Sequence, residues 1–426
     1  MESYDLVIIG AGWAGISSAI RAKNLGLKVA LIEKEILGGT CLNRGCIPTK
    51  YFLNQAKLYF KAKNIYRKQN LSFDFKELKT KKDLLVQRLR LSLEHQLKGI
   101  TYINSSATFE SADTVKVKDG ILKGKNIIIA SGSRPQELNF LKFDKKRILS
   151  SDEILELEEL PKSILIVGAG IIGCEFASFF NFLGVDVSLV EIFPQILPQE
   201  DKEIAGRLER NFKKRGIKVY TSKDLREMDI SIYEIILVSV GRTPNTEDLG
   251  LEKIGIRLEK NRIITDDYLR TNIYNIFAIG DCTNKLMLAH LASYQGRNLV
   301  DNLISDNPQK LIPQYVPSCI FSYPEIARVG LTEDEAKKMN LDFEVYRLDF
   351  LGLGMAHVLE ETEGLIKLIV DKKNQTILGA SIIGALSTEI IGILTLAIQN
   401  QIKLDCLKKT VFAHPTISEG ILEALK

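Results

Sequence analysis

One glycine-rich pattern occurs twice in this chain and constrains its fold more than any other feature. Residues 10–15 read GAGWAG and residues 168–173 read GAGIIG, and each run follows an apolar stretch and precedes a helical pattern. In such a loop the first glycine permits a tight turn, the second lets the backbone approach a pyrophosphate, and the third lets helix and strand pack. Each copy therefore predicts a βαβ unit whose helix N-terminus faces the phosphates of a dinucleotide.

The two copies keep the same register beyond the loops. Each has a glycine where its helix should end, Gly26 and Gly184, and an acid where its second strand should end, Glu33 and Glu191. A carboxylate at this place accepts hydrogen bonds from ribose hydroxyls. A repeated unit in a chain of 426 residues, which is too long for one ordinary core, predicts two dinucleotide-binding domains.

Charge and hydropathy exclude several classes of function. The 57 Lys and Arg residues nearly balance the 53 Asp and Glu residues, so neither a nucleic-acid nor a membrane partner is expected. The apolar runs are only as long as strands, which predicts no transmembrane helix. The chain enters a strand almost at once, leaving no room for a signal peptide, and a large chain without one favours a cytoplasmic location with mostly reduced thiols.

Two cysteines lie close together in residues 38–50, which read GGTCLNRGCIPTK. One helical turn is enough to bring the sulfur atoms of Cys41 and Cys46 together, and Lys50 places a cation one turn further on. A helix N-terminus also lowers the pKa of a nearby thiol. A structural bridge or two core thiols are the alternative, but the adjacent nucleotide pattern favours a redox-active disulfide. We expect small buried thiols at the other four positions, Cys174, Cys282, Cys319 and Cys406.

The segment 38–50 closely resembles the active-site segment of the flavin-dependent pyridine nucleotide-disulfide oxidoreductases, and most of all that of their dihydrolipoamide dehydrogenase branch. The resemblance extends over essentially the whole chain. It implies an α/β fold with two doubly wound, Rossmann-like dinucleotide-binding domains and a C-terminal α+β dimerisation domain. The implied limits are 1–150 for the first part of the FAD-binding domain, 151–265 for the NAD-binding domain, 266–314 for the FAD-binding central part, and 315–426 for the interface domain.

Two further segments are similar to flavin motifs of this family. Residues 126–135 resemble its ATGSxP segment, with Ser131 at the usual Thr position, and residues 271–281 resemble its second FAD motif. Asp281 is expected to accept hydrogen bonds from the ribitol, and a helix from about Met287 to direct its amides at the flavin pyrimidine. The implied FAD contacts are Gly10, Gly12, Ala14, Gly15, Glu33, Lys34, Gly39, Thr40, Cys41, Lys50, Ala107, Ala130, Ser131, Gly132, Gly280, Asp281, Met287, Leu288, Ala289 and His290.

The second glycine pattern is expected to bind NAD rather than NADP. Glu191 repels a 2′-phosphate, no arginine follows it directly, and Gly173 stands where NADP-using relatives tend to carry Ala. By resemblance Glu175 pairs with Lys50 beneath the flavin. Residues 220–235 form a short segment where the family usually has a longer run of strands. This domain is therefore expected to be shortened at its back, away from the nucleotide-binding loop. The implied NAD contacts are Gly168, Gly170, Ile172, Gly173, Glu175, Glu191 and Gly241.

A catalytic base is expected near the C-terminus. Residues 412–419 read FAHPTISE, and His414, held by Glu419 five residues on, suits a base with an orienting acid. In the family this pair reaches the disulfide of the other subunit, so the resemblance implies a homodimer. Family members often have a second histidine where this chain has Phe412. His290 is expected to be structural, and no metal site is expected.

The reaction implied by the resemblance is oxidation of dihydrolipoamide by NAD⁺. Its substrate is expected on a separate lipoyl-bearing protein of a 2-oxoacid dehydrogenase or glycine-cleavage complex. The partner's His414 deprotonates the dithiol, the thiolate attacks Cys41, and Cys46 is left as a thiolate stabilised by Lys50, from which electrons pass through FAD to NAD⁺.

Three alternatives stay open. In the first alternative the substrate is another small disulfide, of the coenzyme A or glutathione type, although Glu191 argues against glutathione reductase. Mercuric reductase and the large thioredoxin reductases are disfavoured because residues 421–426 contain no cysteine pair. A non-catalytic flavoprotein scaffold is disfavoured because the cysteines and His414 are intact.

Overall fold

The computed structural model describes residues 2–65, 72–283 and 286–426 of the chain. Its three larger sheets have seven, five and five strands. In the described ranges no helix is both long and apolar enough to cross a membrane.

The first glycine loop follows a central strand of the seven-stranded sheet. In chain order this part contains β1 (Glu2–Ile9), α1 (Trp13–Asn24), β2 (Val29–Glu33), α2 (Gly39–Arg44), α3 (Cys46–Ile65), α4 (Phe75–Gln96), β3 (Thr101–Asn104), β4 (Thr108–Phe109), β5 (Thr114–Val117) and β6 (Gly120–Ile129). The strand order is β3-β2-β1-β6-β5-β4, parallel from β3 to β6 and antiparallel beyond. Residues 6–9 and 127–129 are buried, because strands covered on both faces need apolar side chains on both.

The second glycine loop follows the central strand of a five-stranded parallel sheet. The elements are β7 (Ser133–Pro135), β8 (Ile148–Leu149), β9 (Ser163–Val167), α5 (Ile171–Phe182), β10 (Asp186–Val190), α6 (Lys202–Lys214), β11 (Lys218–Tyr220), β12 (Ile235–Val238), β13 (Arg242–Pro244), β14 (Leu258–Glu259) and β15 (Arg262–Ile263). The strand order is β11-β10-β9-β12-β8. Residues 221–234, all of them described, hold only a 3₁₀ turn and no strand, which agrees with the expected trimming.

The chain then returns to the first sheet and ends in a separate antiparallel sheet. The elements are β16 (Ile276–Ala278), α7 (Ala289–Ile304), β17 (Ser318–Ile320), β18 (Ile326–Gly330), α8 (Glu333–Lys338), β19 (Phe343–Asp349), α9 (Gly354–Val358), β20 (Leu365–Asp371), β21 (Ile377–Ile383), α10 (Ser387–Gln399), α11 (Leu404–Lys408) and α12 (Gly420–Ala424). Strand β16 pairs with β6, and the last sheet has the order β17-β18-β21-β20-β19. The predicted α/β class with two nucleotide units is confirmed, whereas the residue limits of the domains remain predictions.

Candidate active site

A cleft of about 1820 Å³ brings both glycine loops, the cysteine segment and β17 together. Gly15 and Gly173 do not line it, because each packs its helix against the loop: a Cβ there would lie 1.9 Å and 2.0 Å from the carbonyl oxygens of Gly10 and Gly168. The other expected cofactor contacts all lie on the wall of the cleft, namely Gly10, Gly12, Ala14, Glu33, Lys34, Gly39, Thr40, Cys41, Lys50, Ala107, Ala130, Ser131, Gly132, Gly280, Asp281, Met287, Leu288, Ala289, His290, Gly168, Gly170, Ile172, Glu175, Glu191 and Gly241.

The two loops offer the same donors and acceptors to this cleft. Gly12 and Gly170 occupy the N-cap positions of α1 and α5, so no side chain caps the first-turn amides, which are left for an anion. Glu33 accepts a hydrogen bond from Ala11 N at 2.7 Å, and Glu191 accepts one from the equivalent amide at 2.8 Å. The residues present therefore fit the pyrophosphate and ribose of two dinucleotides. Helix α7 begins at Ala289, two residues later than expected.

Cys41 lies in α2, and Cys46 is the first residue of α3. Both are half-buried free thiols, and a hydrogen bond between them is the main cause of their unequal pKa values. That this pair cycles between dithiol and disulfide remains a prediction.

The surroundings divide the roles of the two thiols. The hydrogen bond from Cys41 lowers the pKa of Cys46 to about 7, against the opposing effect of burial and with help from the Lys50 charge. The same hydrogen bond, followed by burial, raises the pKa of Cys41 above its ordinary value. Cys46 therefore carries the negative charge of the reduced pair and Cys41 carries the proton.

An ion pair beside Cys46 joins the two nucleotide units. Lys50 Nζ on α3 lies 2.8 Å from both carboxylate oxygens of Glu175 on α5, whose side chain is only 3% exposed. Glu175 also accepts a hydrogen bond from Phe321 N at 3.0 Å, and Lys50 Nζ lies 4.9 Å from the Phe321 ring centroid. Burial alone lowers the pKa of Lys50, but the Glu175 charge overcomes it and raises the pKa, so Lys50 stays cationic.

The predicted base is oriented as expected but lies away from the cysteines of its own chain. His414 Nδ1 lies 2.8 Å from Glu419 Oε2, and the other oxygen of Glu419 accepts from Thr416 N at 3.1 Å. The hydrogen bond with His414 lowers the pKa of Glu419. The His414 side chain is 77% exposed, and neither residue of the pair lines the cleft. A role at the cysteines therefore requires a second subunit.

The contacts of His290 and the burial of the other four cysteines bear on the structural roles expected from the sequence. His290 Nε2 lies 2.7 Å from the carbonyl oxygen of Pro317, which ties α7 to the segment before β17. Cys174 and Cys282 are buried as expected, and Cys319 is half-buried. The expectation of a buried Cys406 is wrong, because α11 buries its leucines and leaves this thiol exposed on its other face.

Sequence reasoning missed two features of the cleft. The Trp13 side chain lines it and acts to lower the pKa of Cys41, against the larger effects of Cys46 and burial, although this residue reads as a loop residue in the glycine pattern. Arg242 donates to the hydroxyl and the carbonyl oxygen of Ser133 at 2.7 Å each, and the Ser133 hydroxyl donates to Asp281 at 2.6 Å. The only sequence signal for Arg242 was its position directly after Gly241.

A third missed feature lies near the second acid. The guanidinium of Arg226 lies 5.7 Å from the ring centroid of Phe140, and both side chains line the cleft with Glu191. No local pattern links residues so far apart in sequence.

Comparison with known proteins gives full-length matches. The family model for the pyridine nucleotide-disulphide oxidoreductases matches residues 4–296, and the model for their dimerisation domain matches residues 316–425, which supports a homodimer. The dihydrolipoyl dehydrogenases of Chlamydia pneumoniae and Bacillus subtilis are 38% and 39% identical, over 98% and 99% of this chain and 95% and 97% of their own. The structure of the HOCl-induced flavoprotein disulfide reductase RclA from Escherichia coli matches over 99% of both chains, with 29% identity and a TM-score of 0.90.

Proposed function

The chain belongs to the pyridine nucleotide-disulphide oxidoreductase family, and on that premise we propose that it oxidises dihydrolipoyl groups with NAD⁺ as the acceptor. As a member of that family it is an oxidoreductase that acts on sulfur groups and uses FAD and NAD. The observation that carries the proposal is the dithiol beside the Lys50–Glu175 ion pair, in one cleft that both nucleotide loops line.

The proposed thiol chemistry starts from the oxidised cysteine pair. The partner's His414 takes the proton of one substrate thiol, and the resulting thiolate attacks Cys41 Sγ. The bond between the cysteine sulfurs breaks, and its electron pair goes to Cys46, where Lys50 stabilises the charge. The second substrate sulfur, deprotonated in turn, displaces Cys41, which leaves with the electron pair and takes up a proton. Bound FAD supplies the electron transfer from the dithiol to NAD⁺.

The dihydrolipoyl group is proposed to be carried by a lipoyl-bearing protein of a 2-oxoacid dehydrogenase or glycine-cleavage complex. Support comes from the full-length relatives of Chlamydia pneumoniae and Bacillus subtilis, which are dihydrolipoyl dehydrogenases. A cytoplasmic location remains a prediction of the sequence.

A second candidate is NADH-driven reduction of another small disulfide. It is supported by the likeness to RclA, a flavoprotein disulfide reductase. The two candidates share the cysteines and the nucleotide loops and differ in substrate and in direction.

The test is an anaerobic reaction of the FAD-loaded homodimer with dihydrolipoamide, followed by NAD⁺. We expect a long-wavelength thiolate-to-flavin band after the first addition and NADH after the second. Cys46→Ser should abolish both signals, because it removes the thiolate that carries the charge. Cys406→Ser, which changes an exposed thiol outside the cleft, is the matched control and should retain them.

The outcomes separate the candidates. A band that forms with NADH but not with dihydrolipoamide would show a working cysteine pair and refute the lipoyl assignment, and other disulfides would then be screened. Normal NAD⁺ reduction by Cys46→Ser would refute the thiol mechanism itself.

A further inference from the structure

Phe140 and Arg226 form one wall of the cleft near Glu191. The guanidinium carbon of Arg226 lies 5.7 Å from the ring centroid of Phe140, and all three side chains line the cleft. Phe140 is 54% exposed and the Arg226 side chain is 69% exposed. A ligand can therefore cover the ring and the guanidinium without displacing any part of the core.

The neighbours of both residues anchor this wall to the second nucleotide unit. Leu141 follows the aromatic residue and Leu225 precedes the arginine, and both leucines are buried in one apolar cluster. The same cluster contains Val190, the last residue of β10, and that strand leads directly into Glu191. The wall is therefore packed on the strand that positions the acid.

The segment that carries Arg226 is also tied to the acid through the backbone. Lys223 N donates to the carbonyl oxygen of Glu191 at 3.0 Å, and Ser222 N donates to that of Phe193 at 2.9 Å. Phe193 is exposed and lines the same cleft. An aromatic side chain on each side of the acid thus borders the place where a ribose is expected.

Asp224 orients the guanidinium and balances its charge. Arg226 Nη2 donates to Asp224 Oδ2 at 2.6 Å, and Arg226 Nε lies 3.1 Å from both carboxylate oxygens. A guanidinium paired through its edge still offers its planar face for stacking. Because a carboxylate already balances the charge and Glu191 lies nearby, this part of the cleft suits a neutral aromatic base better than a further phosphate.

The wall is built by a part of the chain that departs from the family pattern. Arg226 lies in residues 221–234, the shortened segment of the second unit, which reaches the cleft through the 3₁₀ turn Leu225–Glu227. Neither Phe140 nor Arg226 is among the NAD contacts that the resemblance implies. The assignment of a ligand to them therefore depends on the contacts described above.

We propose that Phe140 and Arg226 bind the adenine ring of the dinucleotide whose ribose Glu191 holds, and that they set its affinity for the cleft. The inference rests on the nucleotide half of the proposed function and involves neither the cysteines nor the dithiol. A purine presents a π face to an aromatic ring or to a guanidinium plane, and such stacking contributes to affinity without hydrogen-bond readout.

The test measures binding of ADP-ribose to the FAD-loaded protein by titration calorimetry. ADP-ribose carries the adenosine end of NAD and takes part in no hydride transfer. Phe140→Leu keeps an apolar side chain but loses the ring, and it should raise the Kd about tenfold. Arg226→Met loses the guanidinium plane and should raise the Kd about threefold. Phe140→Tyr keeps the ring and should bind ADP-ribose as the wild type does.

Two controls separate stacking from a general disturbance of the unit. Reduced nicotinamide mononucleotide lacks the adenosine end, so it should reduce the flavin of each variant at the wild-type rate. Tyr274→Leu removes a ring that is 88% exposed outside the cleft, and Arg262→Met breaks an ion pair with Glu259 outside it. Both of these variants should bind ADP-ribose normally.

Each outcome decides the inference. An unchanged Kd in Phe140→Leu would overturn it, and so would an equal loss of rate with reduced nicotinamide mononucleotide. If Phe140→Leu does not retain FAD, Arg226→Met is read in the same way. Because ADP-ribose binding needs no dithiol, a protein that shows these shifts but fails to oxidise dihydrolipoamide would refute the proposed substrate and leave the role of Phe140 and Arg226 standing.

Discussion

The two nucleotide units share a loop and differ in what surrounds it. In both loops the third glycine packs against the carbonyl group of the first. The acid at the end of the second strand accepts a hydrogen bond from the backbone amide of the residue that follows the first glycine. After Glu33 the chain enters the helices that carry the cysteines. After Glu191 it exposes Ile192 and Phe193 at the edge of the cleft. The first loop thus lies beside the cysteine pair, and the second lies beside an open edge of the cleft.

The sheets of the two units also differ in the strands that extend them. In the first unit the chain between β3 and β6 forms the antiparallel strands β4 and β5, which extend the sheet beyond β6. In the second unit residues 221–234, all described, form no strand. The shared loop shows what a dinucleotide requires. From the differences we infer that the first unit holds FAD against the thiols and that the second admits and releases NAD.

The largest expected effect comes from filling the third glycine of each loop. Gly15→Val and Gly173→Val both place atoms within about 2 Å of a carbonyl oxygen. We expect Gly15→Val to lose flavin and all activity, and Gly173→Val to stay yellow with kcat/KM for NAD⁺ lowered about a hundredfold. Flavin absorbance and steady-state kinetics measure the two effects. Gly206→Ala, at a helical glycine where an added Cβ would meet only the flexible end of the Arg210 side chain at 3.5 Å, is the control. Loss of flavin in both loop variants would contradict the division of roles.

An intermediate effect is expected at the ion pair that joins the units. The Cys41 hydrogen bond is the main cause of the lowered Cys46 pKa, and the Lys50 charge adds to it while Glu175 opposes it. A thiolate forms as the pH rises through its pKa, so the long-wavelength band should appear through about pH 7 in the wild type. In Lys50→Met it should appear only at higher pH, with about a tenfold smaller thiolate fraction below the wild-type midpoint.

Lys57→Met is the matched control for this titration. Lys57 lies on the same helix and pairs with Glu361, which keeps Lys61 as a second partner. Its band should titrate as in the wild type. An unmoved midpoint in Lys50→Met would show that the lysine does not set the charge of Cys46.

The smallest effect is expected at the two acids. Glu33→Gln and Glu191→Gln keep one oxygen but set an NH₂ against a backbone amide. We expect about fivefold weaker retention of flavin in the first and an about fivefold higher KM for NAD⁺ in the second. Glu191→Gln should also accept NADP⁺ better, because the repulsion of a 2′-phosphate is lost. Glu252→Gln, an exposed acid, is the control. An NADP⁺ preference unchanged by Glu191→Gln would refute the role of its charge.

Much of the site could be predicted because its parts are local. A glycine loop with its strand, helix and acid lies within one βαβ unit, so the positions of Glu33 and Glu191 follow from spacing alone. The Lys50–Glu175 pair spans 125 residues and was expected only from the family resemblance. The Phe140–Arg226 contact had no signal in either spacing or resemblance, since a long connection places both side chains at the same edge.

The sequence by itself determined the two nucleotide units, the cysteine pair with its nearby cation, and the His414–Glu419 pair, because the residues of each lie within one continuous segment of chain, at most one βαβ unit long. Only the tertiary structure decided that Arg242 donates to Ser133 and that Arg226 lies against Phe140 on the wall of the cleft. A donor in a sequence does not reveal its acceptor. That choice depends on how separate sheets and helices pack, and packing sums weak contacts over the whole chain.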